Sequence, residues 1–366
     1  MKVTIITCFE SNEERVSFVY DACKKRKYNV SVITTDFSHI KKQKRNSIPK
    51  GYTAIETNPY NSNLSLARMK SHAKFAKDAF SLAEKQEPDL IWLMAPANSL
   101  IKQAKLYKKD HPNTKIIIDI IDMWPESLPI SINRNIPPLS IWRSIRKNNI
   151  NCADVLVTEC DFYQEILSIE YHNNIHTIRW CRDEKVSNIK TNLPKDKLSL
   201  VYIGSINNII GTQLMSQVID NTDMPVVLHI IGEGESRYNF VIHASRYCEV
   251  VYHGPIRDEK TKAEIFSKCH AGINIYKNNL YIGLTVKCID YFEHGLPIIN
   301  NIKGDTWSMV NKYGVGININ ENTRIDSKKI MELRKNNKFI SDFYNRNFTK
   351  DVFINKCLEV IDEALK

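Results

Sequence analysis

The chain has 366 residues, 43% of them hydrophobic and 25% charged, which predicts two folded domains and excludes a disordered chain. No stretch approaches the roughly 18 apolar residues of a membrane-spanning helix, and the Met1 end lacks a secretory pattern, so we expect a cytoplasmic protein. The net charge of +10 lies mostly in residues 1–185, which hold 28 Lys and Arg against 21 Asp and Glu.

The first half of the chain alternates apolar β-branched runs with segments of helical periodicity. Lys2–Cys8 is a predicted strand, and the spacing of Ser11 and Glu14 predicts a capping box for a helix that continues to Arg26. Further strands are predicted at residues 29–34, 89–93, 115–121 and 155–158, and a long helix at 64–86. Continuous apolar strands separated by helices are typical of parallel sheets, so the first half is predicted to be a doubly wound α/β domain.

The same alternation begins again after a polar segment at residues 182–197, the predicted linker. Strands are predicted at 198–203, 225–231, 250–252, 271–275 and 297–299, and helices at 211–219, 236–246, 259–268, 285–294 and 348–366. The predicted fold class is therefore α/β, with two Rossmann-like doubly wound parallel-sheet domains in tandem. The predicted domains are residues 1–183, residues 184–342 and a closing helical segment at 343–366.

The cysteine and histidine patterns argue against a disulfide framework and against a metal site. The nine cysteines are scattered and form no Cys-x-x-Cys pair, which predicts reduced and mostly buried thiols. His172 and His176 have the spacing of helical metal ligands, but the sequence between them favours a surface loop. No glycine occurs in residues 9–15 after the first strand, which excludes a nicotinamide or flavin site. No metal or cofactor is expected.

Glycines follow three predicted strands of the second half. Gly204, Gly232 and Gly254 each stand at a strand end, where a glycine allows the backbone to approach a ligand closely. Because ligands of parallel sheets bind at the carboxyl ends of the strands, the three together favour a binding pocket over three ordinary turns.

A fourth glycine segment, Gly283–Thr285, opens the helix predicted at 285–294. The N-terminus of a helix has unpaired N–H groups and partial positive charge, both suited to a diphosphate. Lys287 in the first turn adds a full charge, and Asp290 one turn later is placed to accept hydrogen bonds from hydroxyl groups. An ordinary surface helix with a Lys/Asp pair is the alternative.

These blocks together resemble a known family. The segments VYIGSI (201–206), LHIIGEGES (228–236), VVYHGPI (250–256) and LTVKCIDYFEHGLPII (284–299) resemble the motifs of the retaining nucleotide-sugar glycosyltransferases of family 4. Residues 122–127, Asp-Met-Trp-Pro-Glu-Ser, resemble a signature of bacterial capsule and O-antigen transferases in that family. The resemblance covers residues 115–366 well and residues 1–114 by topology. It implies the GT-B fold, in which two such domains face a central cleft.

The resemblance also implies residue roles in a donor site. Gly204 and Ser205 would border the donor diphosphate, and Gly232 and Glu233 would line the cleft. Lys287 would lie beside the diphosphate, and Asp290 would bind the ribose. The nucleotide base would be held by His253, Gly254, Ile256 and Arg257. The diphosphate would accept hydrogen bonds from the backbone N–H groups of Gly283, Leu284 and Thr285.

On the acceptor side, Asp122 and Glu126 are the predicted catalytic residues, and Trp124 is a predicted stacking platform for a sugar. Asp119 is a further predicted acceptor contact. The histidine usual in this region of the family has no evident counterpart, and Trp124 next to Pro125 has ordinary loop packing as its alternative reading.

Two departures from the family pattern concern the donor site. Ile282 stands where the family has an acidic residue, and the loop 206–210 lacks the Arg and Lys that usually contact phosphate. Charge on the leaving group would then rest on helix N–H groups and Lys287, or on another base such as Arg182 or Lys277.

The sequence therefore predicts a glycosyltransferase that moves a sugar from a UDP- or GDP-sugar to an acceptor hydroxyl with retention. The acceptor would be a glycan or lipid-linked glycan in bacterial surface polysaccharide assembly. Two basic runs, at residues 24–27 and 41–45, are either solvated faces or a contact with an anionic membrane surface. The second interpretation would place the protein on the inner face of the plasma membrane. The two runs lack interleaved aromatics, so no nucleic acid is expected. A non-catalytic GT-B subunit, a nucleotide-sugar epimerase and a nucleic-acid-binding protein are the alternatives.

Overall fold

A computed structural model describes residues 1–128, 133–171, 173–183, 189–278 and 280–366. The chain forms two compact units, residues 1–179 with 350–366 and residues 180–349. Residues 184–188 of the predicted linker lie outside the described residues. In the described part of the chain, no helix is both long and apolar enough to cross a membrane.

The first unit alternates strands and helices in its described residues. Its strands are β1 (Lys2–Ile6), β2 (Asn29–Thr35), β3 (Phe37–Ser38), β4 (Gln43–Lys44), β5 (Tyr52–Ile55), β6 (Leu90–Ala95), β7 (Lys115–Ile120), β8 (Val155–Thr158) and β9 (Asn174–Thr177). Its helices are α1 (Glu13–Lys25), α2 (Leu66–Gln86), α3 (Asn98–Asp110), α4 (Leu139–Lys147), α5 (Asp161–Leu167) and, from the end of the chain, α13 (Lys350–Ala364).

The main sheet of the first unit is parallel and has the order β5-β2-β1-β6-β7-β8-β9. In β1, Val3 pairs with Val30 on one side and with Leu90 on the other. The chain builds outward from β1 in one direction and then outward from β6 in the other. The carboxyl ends of β1 and β6 therefore form the topological switch point, where sheets of this kind bind ligands.

The second unit repeats this plan. Its strands are β10 (Leu198–Ile203), β11 (Val226–Ile231), β12 (Glu249–Gly254), β13 (Ala271–Asn274), β14 (Ile298–Asn300) and β15 (Gly316–Asn318). Its helices are α6 (Thr212–Asp220), α7 (Arg237–Ala244), α8 (Glu259–Phe266), α9 (Val286–Glu293), α10 (Asp305–Tyr313), α11 (Ser327–Lys335) and α12 (Asn337–Asn347). The parallel order β12-β11-β10-β13-β14-β15 places the switch point between β10 and β13.

Both faces of the second sheet are covered. Alternate residues of β10 belong to different cores: Leu200 and Tyr202 pack in one cluster with residues of α6 and α7, and Val201 packs in another with residues of α8 and α9. A strand buried on both faces needs a mostly apolar sequence, and β10 was predictable because Ser199 is its only residue with a short polar side chain. The doubly wound α/β prediction is confirmed for both halves.

Two local predictions in the first unit were wrong. Ser11 forms no capping box: it lies in a 3₁₀ helix, Glu10–Asn12, and α1 begins at Glu13 without a side-chain cap. His176 lies in β9 rather than in a loop, and its Nε2 is 2.7 Å from Glu363 Oε2, while His172 lies outside the described residues. The pairing of β9 with β8 overrides the turn preference of Asn173 and Asn174, the two asparagines shortly before His176.

Candidate functional site

Three glycines bring the strand ends of the second unit into direct backbone contact. The Gly204 N–H donates to the Ile231 carbonyl at 3.0 Å, and the Gly232 N–H donates to the Gly254 carbonyl at 2.8 Å. Gly232 has φ +142°, and a Cβ there would lie 2.0 Å from the Gly204 carbonyl oxygen. No other residue fits this approach. The sequence-predicted glycines Gly204, Gly232 and Gly254 therefore lie together at one edge of the sheet.

Lys287, the second residue of α9, lies against this edge and is buried. Its Nζ stands 3.8 Å from the ring centre of Tyr202 and 4.8 Å from that of Tyr276. A Cβ on Gly204 would be 3.6 Å from the same Nζ. Among the described residues, Nζ has no hydrogen-bond partner. Burial away from water lowers the pKa of Lys287 to about 7.

The position of Lys287 coincides with the switch point of the second sheet. Tyr202 belongs to β10, and Tyr276 follows the end of β13 by two residues. The two rings come from the two strands between which the order reverses, and the ammonium lies between them. Cation–π contacts stabilise a buried ammonium only in part, so an anionic ligand at this edge would supply the missing hydrogen-bond acceptor.

The loop before α9 is fixed by a ladder of buried side chains. Thr285 Oγ1 donates to Asn274 Oδ1 at 2.8 Å, and Asn274 Nδ2 donates to Asn300 Oδ1 at 2.8 Å. The Gly283 carbonyl accepts the Thr306 N–H at 3.2 Å, and Leu284 packs against the core that contains α9. The N-terminus of α9 is thus held at the carboxyl end of β13, and the diphosphate contacts of Gly283, Leu284 and Thr285 stay predictions.

Asp290 lies one turn along α9 from Lys287, but it is engaged by other residues. Its Oδ1 accepts from Arg182 Nε at 2.7 Å and lies 3.7 Å from Lys262 Nζ. Nearby, burial raises the pKa of Glu293 to about 7, and the Tyr344 hydroxyl donates to that carboxyl group. The ribose contact predicted for Asp290 stays a prediction, with one oxygen already held by Arg182.

The remaining predicted donor residues lie around the glycine edge. The Ser205 carbonyl accepts from the Tyr202 hydroxyl at 2.7 Å, and Glu233 accepts from the Tyr252 hydroxyl at 2.9 Å. His253 Nε2 is 3.0 Å from His229 Nδ1, Ile256 packs on the α9 core, and Arg257 is exposed. Their donor contacts stay predictions.

A cavity of about 670 Å³ lies next to Tyr276, which lines it. Lys277 and Ile282 line it together with Lys303 and Glu321 from the loops after β14 and β15. Lys277, one of the alternative cations for the leaving group, therefore belongs to this cavity.

Two acidic residues predicted for the acceptor side are engaged in buried ion pairs of the first unit. Asp119 is fully buried, and its two oxygens accept from Arg15 Nε and Nη2 at 2.8 and 2.9 Å. Glu126 accepts from Arg146 Nη1 and Nη2 at 2.8 and 2.9 Å. Burial would raise the pKa of Glu126, but Arg146 outweighs it and holds that pKa below its ordinary value. The carboxylates of Asp119 and Glu126 are therefore both occupied by arginine donors.

The other two predicted acceptor residues, Trp124 and Asp122, contact each other. Trp124 is half-buried, and its Nε1 donates to Asp122 Oδ2 at 2.7 Å. Burial raises the pKa of Asp122. The indole ring stacks at 6.0 Å on Trp142 and packs on Arg68, whose Cζ is 4.2 Å from the ring centre.

The structure adds residues around Trp124 that sequence reasoning missed. Phe9 follows β1, Tyr60 follows β5, and Arg68 and His72 lie one turn apart on α2. The signal was present: Arg68 and His72 have i, i+4 spacing with the buried apolar residues Ala76 and Phe80 of the same helix. A charged residue on the apolar face of an amphipathic helix indicates a buried partner or ligand for that charge.

The comparisons with known proteins agree with this architecture. No protein-family model matches the sequence, and no curated protein sequence matches it. The solved sucrose-phosphate synthase of Thermosynechococcus elongatus matches with 11% identity and a TM-score of 0.69 over 99% of this chain and 98% of that chain. The lipopolysaccharide outer core galactosyltransferase WaaB matches with 14% identity and a TM-score of 0.69 over 100% and 99%. This chain has the GT-B fold.

A third GT-B neighbour carries a ligand. The Anabaena protein HepE, solved in complex with UDP, has 10% identity and a TM-score of 0.67 over 99% of this chain and 100% of that chain. HepE has also been solved with UDP-glucose. At these identities the likeness establishes the fold, and the function has to be argued from the residues.

Proposed function

We propose that this GT-B chain is a glycosyltransferase that moves a sugar from a nucleotide diphosphate sugar to an acceptor hydroxyl, with retention of configuration. The observation that carries the proposal is the buried Lys287 ammonium at the switch point of the second unit. It faces the backbone of Gly204 and has no hydrogen-bond partner among the described residues.

The chemistry of sugar transfer explains why such a cation would be placed there. When the sugar leaves, negative charge develops on the departing nucleoside diphosphate. A buried ammonium and the N-terminus of α9 both stabilise that charge, and they do so more strongly where water is excluded. The glycine edge at Gly204 and Gly232 leaves room for phosphate to approach the backbone.

For the acceptor we propose the first unit, at the carboxyl ends of β1 and β7. Trp124 supplies an aromatic face for a sugar ring, and Asp122, with its raised pKa, is the carboxyl group next to it. We propose a glycan or lipid-linked glycan acceptor of bacterial surface polysaccharide assembly. The net charge of +10 supports association with an anionic membrane surface.

A second candidate is a non-catalytic GT-B subunit that assists a partner transferase. The observation in its favour is the loop of residues 204–211, Gly-Ser-Ile-Asn-Asn-Ile-Ile-Gly, which contains no basic residue to bind phosphate. The two candidates differ in whether the chain alone turns over a donor.

Turnover of UDP- and GDP-sugars by the purified chain decides between them. We expect slow release of free nucleotide without acceptor and faster release with glycan acceptors. The anomeric configuration of the product, read by NMR, tests retention. Lys287→Met should abolish the release, while Lys312→Met, which removes an exposed lysine beside a tyrosine ring, should not. Nucleotide-sugar binding without any release would favour the non-catalytic subunit, and conversion of the donor without release would indicate an epimerase.

A further inference from the structure

Four arginines are almost completely buried in the described residues, and one of them differs from the rest. Arg15 pairs with Asp119 and Arg146 pairs with Glu126. Arg334 donates to four backbone carbonyls, those of Phe266, Cys269, His294 and Gly295. Arg68, which is 1% exposed, donates one hydrogen bond, from Nη1 to the Asn63 carbonyl at 2.7 Å.

The other edge of the Arg68 guanidinium carries two further donors. In the described part of the chain, neither Nε nor Nη2 has a hydrogen-bond partner. In Arg15 the same two atoms hold both oxygens of the Asp119 carboxylate. That edge presents two parallel N–H groups, the geometry that binds a carboxylate or phosphate in a bidentate manner. The Arg15–Asp119 pair shows that this edge of an arginine is suited to hold a carboxylate or another oxyanion.

Aromatic rings surround the Arg68 guanidinium. Its Cζ is 4.2 Å from the ring centre of Trp124, 5.8 Å from that of Phe9 and 6.0 Å from that of Tyr60. Burial lowers the pKa of Arg68. The rings attract a cation without neutralising it, so the charge stays available to a ligand.

The nearest carboxylates face other donors. Glu10 accepts from the Ser38 hydroxyl and from the backbone N–H groups of His39 and Ile40. Asp122 accepts from the indole N–H of Trp124. Burial lowers the pKa of His39 to about 4, so this neighbouring histidine is neutral near pH 7. Asp122 is close enough to raise the pKa of Arg68, but neither carboxylate takes the Nε and Nη2 donors, which stay available to an anionic ligand.

We propose that Arg68 binds an oxyanion of the acceptor substrate, a phosphate or a carboxylate, through Nε and Nη2. The inference rests on the proposed function, since it specifies the chemistry of the acceptor. The site lies at the switch point of the first sheet, where Phe9 follows β1, and it is flanked by the exposed Asn63 and the half-buried Trp124. A sugar ring next to the oxyanion would stack on Trp124.

The test is a set of calorimetric titrations of the full chain, with and without saturating UDP. The probes are inorganic phosphate, glucose 1-phosphate, glucuronate and neutral glucose, and UDP keeps the phosphate probes out of the donor site. We expect the phosphate or the carboxylate probes to bind and glucose to bind far more weakly. The tighter of the two anion classes identifies the source of the oxyanion. Arg68→Met should weaken that binding by roughly 10- to 100-fold, as expected for hydrogen bonds to a charged group.

Two further variants make the result decisive. Lys74→Met removes an exposed charge from the same helix and should leave the affinity unchanged. Arg68→Lys keeps the charge but loses the two parallel donors, so it should also bind the anions more weakly, and it replaces Arg68→Met if that variant does not fold. Equal binding of glucose and the anions, or unchanged affinity in the folded Arg68 variants, would overturn the inference. The proposed function fails separately, if UDP and UDP-sugars do not bind.

Discussion

The two units of this chain place a buried cation at the same point of the same topology. In the first unit it is Arg68, next to the carboxyl end of β1, and in the second it is Lys287, between β10 and β13. Each is surrounded by aromatic rings, and each has donor atoms without a partner among the described residues. The surroundings differ, however: glycines form the edge next to Lys287, whereas Trp124, Phe9 and Tyr60 enclose Arg68.

This difference suits two different ligands. A glycine edge brings backbone N–H groups close to a phosphate, whereas aromatic faces favour a sugar ring. The cations differ as well, because an arginine stays charged at every physiological pH and a buried lysine loses its proton near neutrality. The same sheet plan therefore provides one site whose charge is permanent and one whose charge depends on pH.

The largest expected effect comes from removing the carboxylate partner of a buried cation. Asp119→Asn removes the charge of the carboxylate that accepts from Arg15 Nε and Nη2 while that guanidinium stays buried, so the free energy of unfolding should fall by about 3–5 kcal/mol. Arg68→Met removes a cation that has no carboxylate partner, and it should leave the free energy of unfolding unchanged or raised. Denaturant titrations of the two variants measure this contrast. Equal destabilisation by both would show that the Arg68 charge is needed for folding, as that of Asp119 is.

The glycine edge gives the next largest effect. Gly232→Ala forces a side chain into φ +142° and against the Gly204 carbonyl, and the backbone strain alone costs about 1–3 kcal/mol. The matched control is Gly314→Ala, which also has positive φ but whose Cβ would have nothing within 4 Å. Nucleotide binding should be lost in the first variant and kept in the second. Thermal unfolding and calorimetry on the same samples separate strain from loss of the site.

Replacement of Lys287 should affect binding rather than stability. Lys287→Met keeps an unbranched apolar stem next to Tyr202 and Tyr276 but removes the ammonium. We expect the affinity for UDP-sugars to fall by roughly 10- to 100-fold, since a hydrogen bond to a charged group is lost. The free energy of unfolding should not fall. A variant that binds UDP-sugars as tightly as the native chain would remove Lys287 from the site.

The pH dependence of donor binding has the smallest expected effect. Above pH 7 the Lys287 amine of the free protein loses its proton, so the affinity for UDP-glucose should fall as pH rises, by at most about tenfold per pH unit. UDP-glucose is the suitable ligand because its diphosphate diester does not titrate near neutrality. Stability should change in the opposite direction: the unfolded chain binds one more proton above pH 7, so this lysine destabilises the fold less as pH rises. A flat profile that is identical in Lys287→Met would contradict this assignment.

The interior strands of both main sheets were predictable from the sequence, but of their four described edge strands only β12 was. β8 and β10 agree with prediction to the residue because a strand buried on both faces is mostly apolar, with only Thr158 and Ser199 as short polar residues here. The edge strands β5, β9 and β15 were missed, since their half-exposed sequences contain polar residues and no such run. Their position is decided by pairing with a neighbouring strand, which local sequence does not encode.

The residues of the candidate site also divide into those that leave a local sequence pattern and those that do not. The glycines and Lys287 were identified because strand-end glycines and helix N-termini leave local patterns. Arg182 and Asp290 are 108 positions apart, and their pairing had no local signal. Arg68 did leave one, as a charge on the apolar face of α2, but its meaning depends on Trp124 and Phe9 from distant segments.

The most direct test of the central claim is calorimetric titration of the native chain and of Lys287→Met with UDP- and GDP-sugars. We expect that at least one of these donors binds the native chain, that Lys287→Met binds it roughly 10- to 100-fold more weakly, and that Lys312→Met binds it normally. Absence of binding by every donor to the native, folded chain would contradict the proposal that this GT-B fold is a glycosyltransferase.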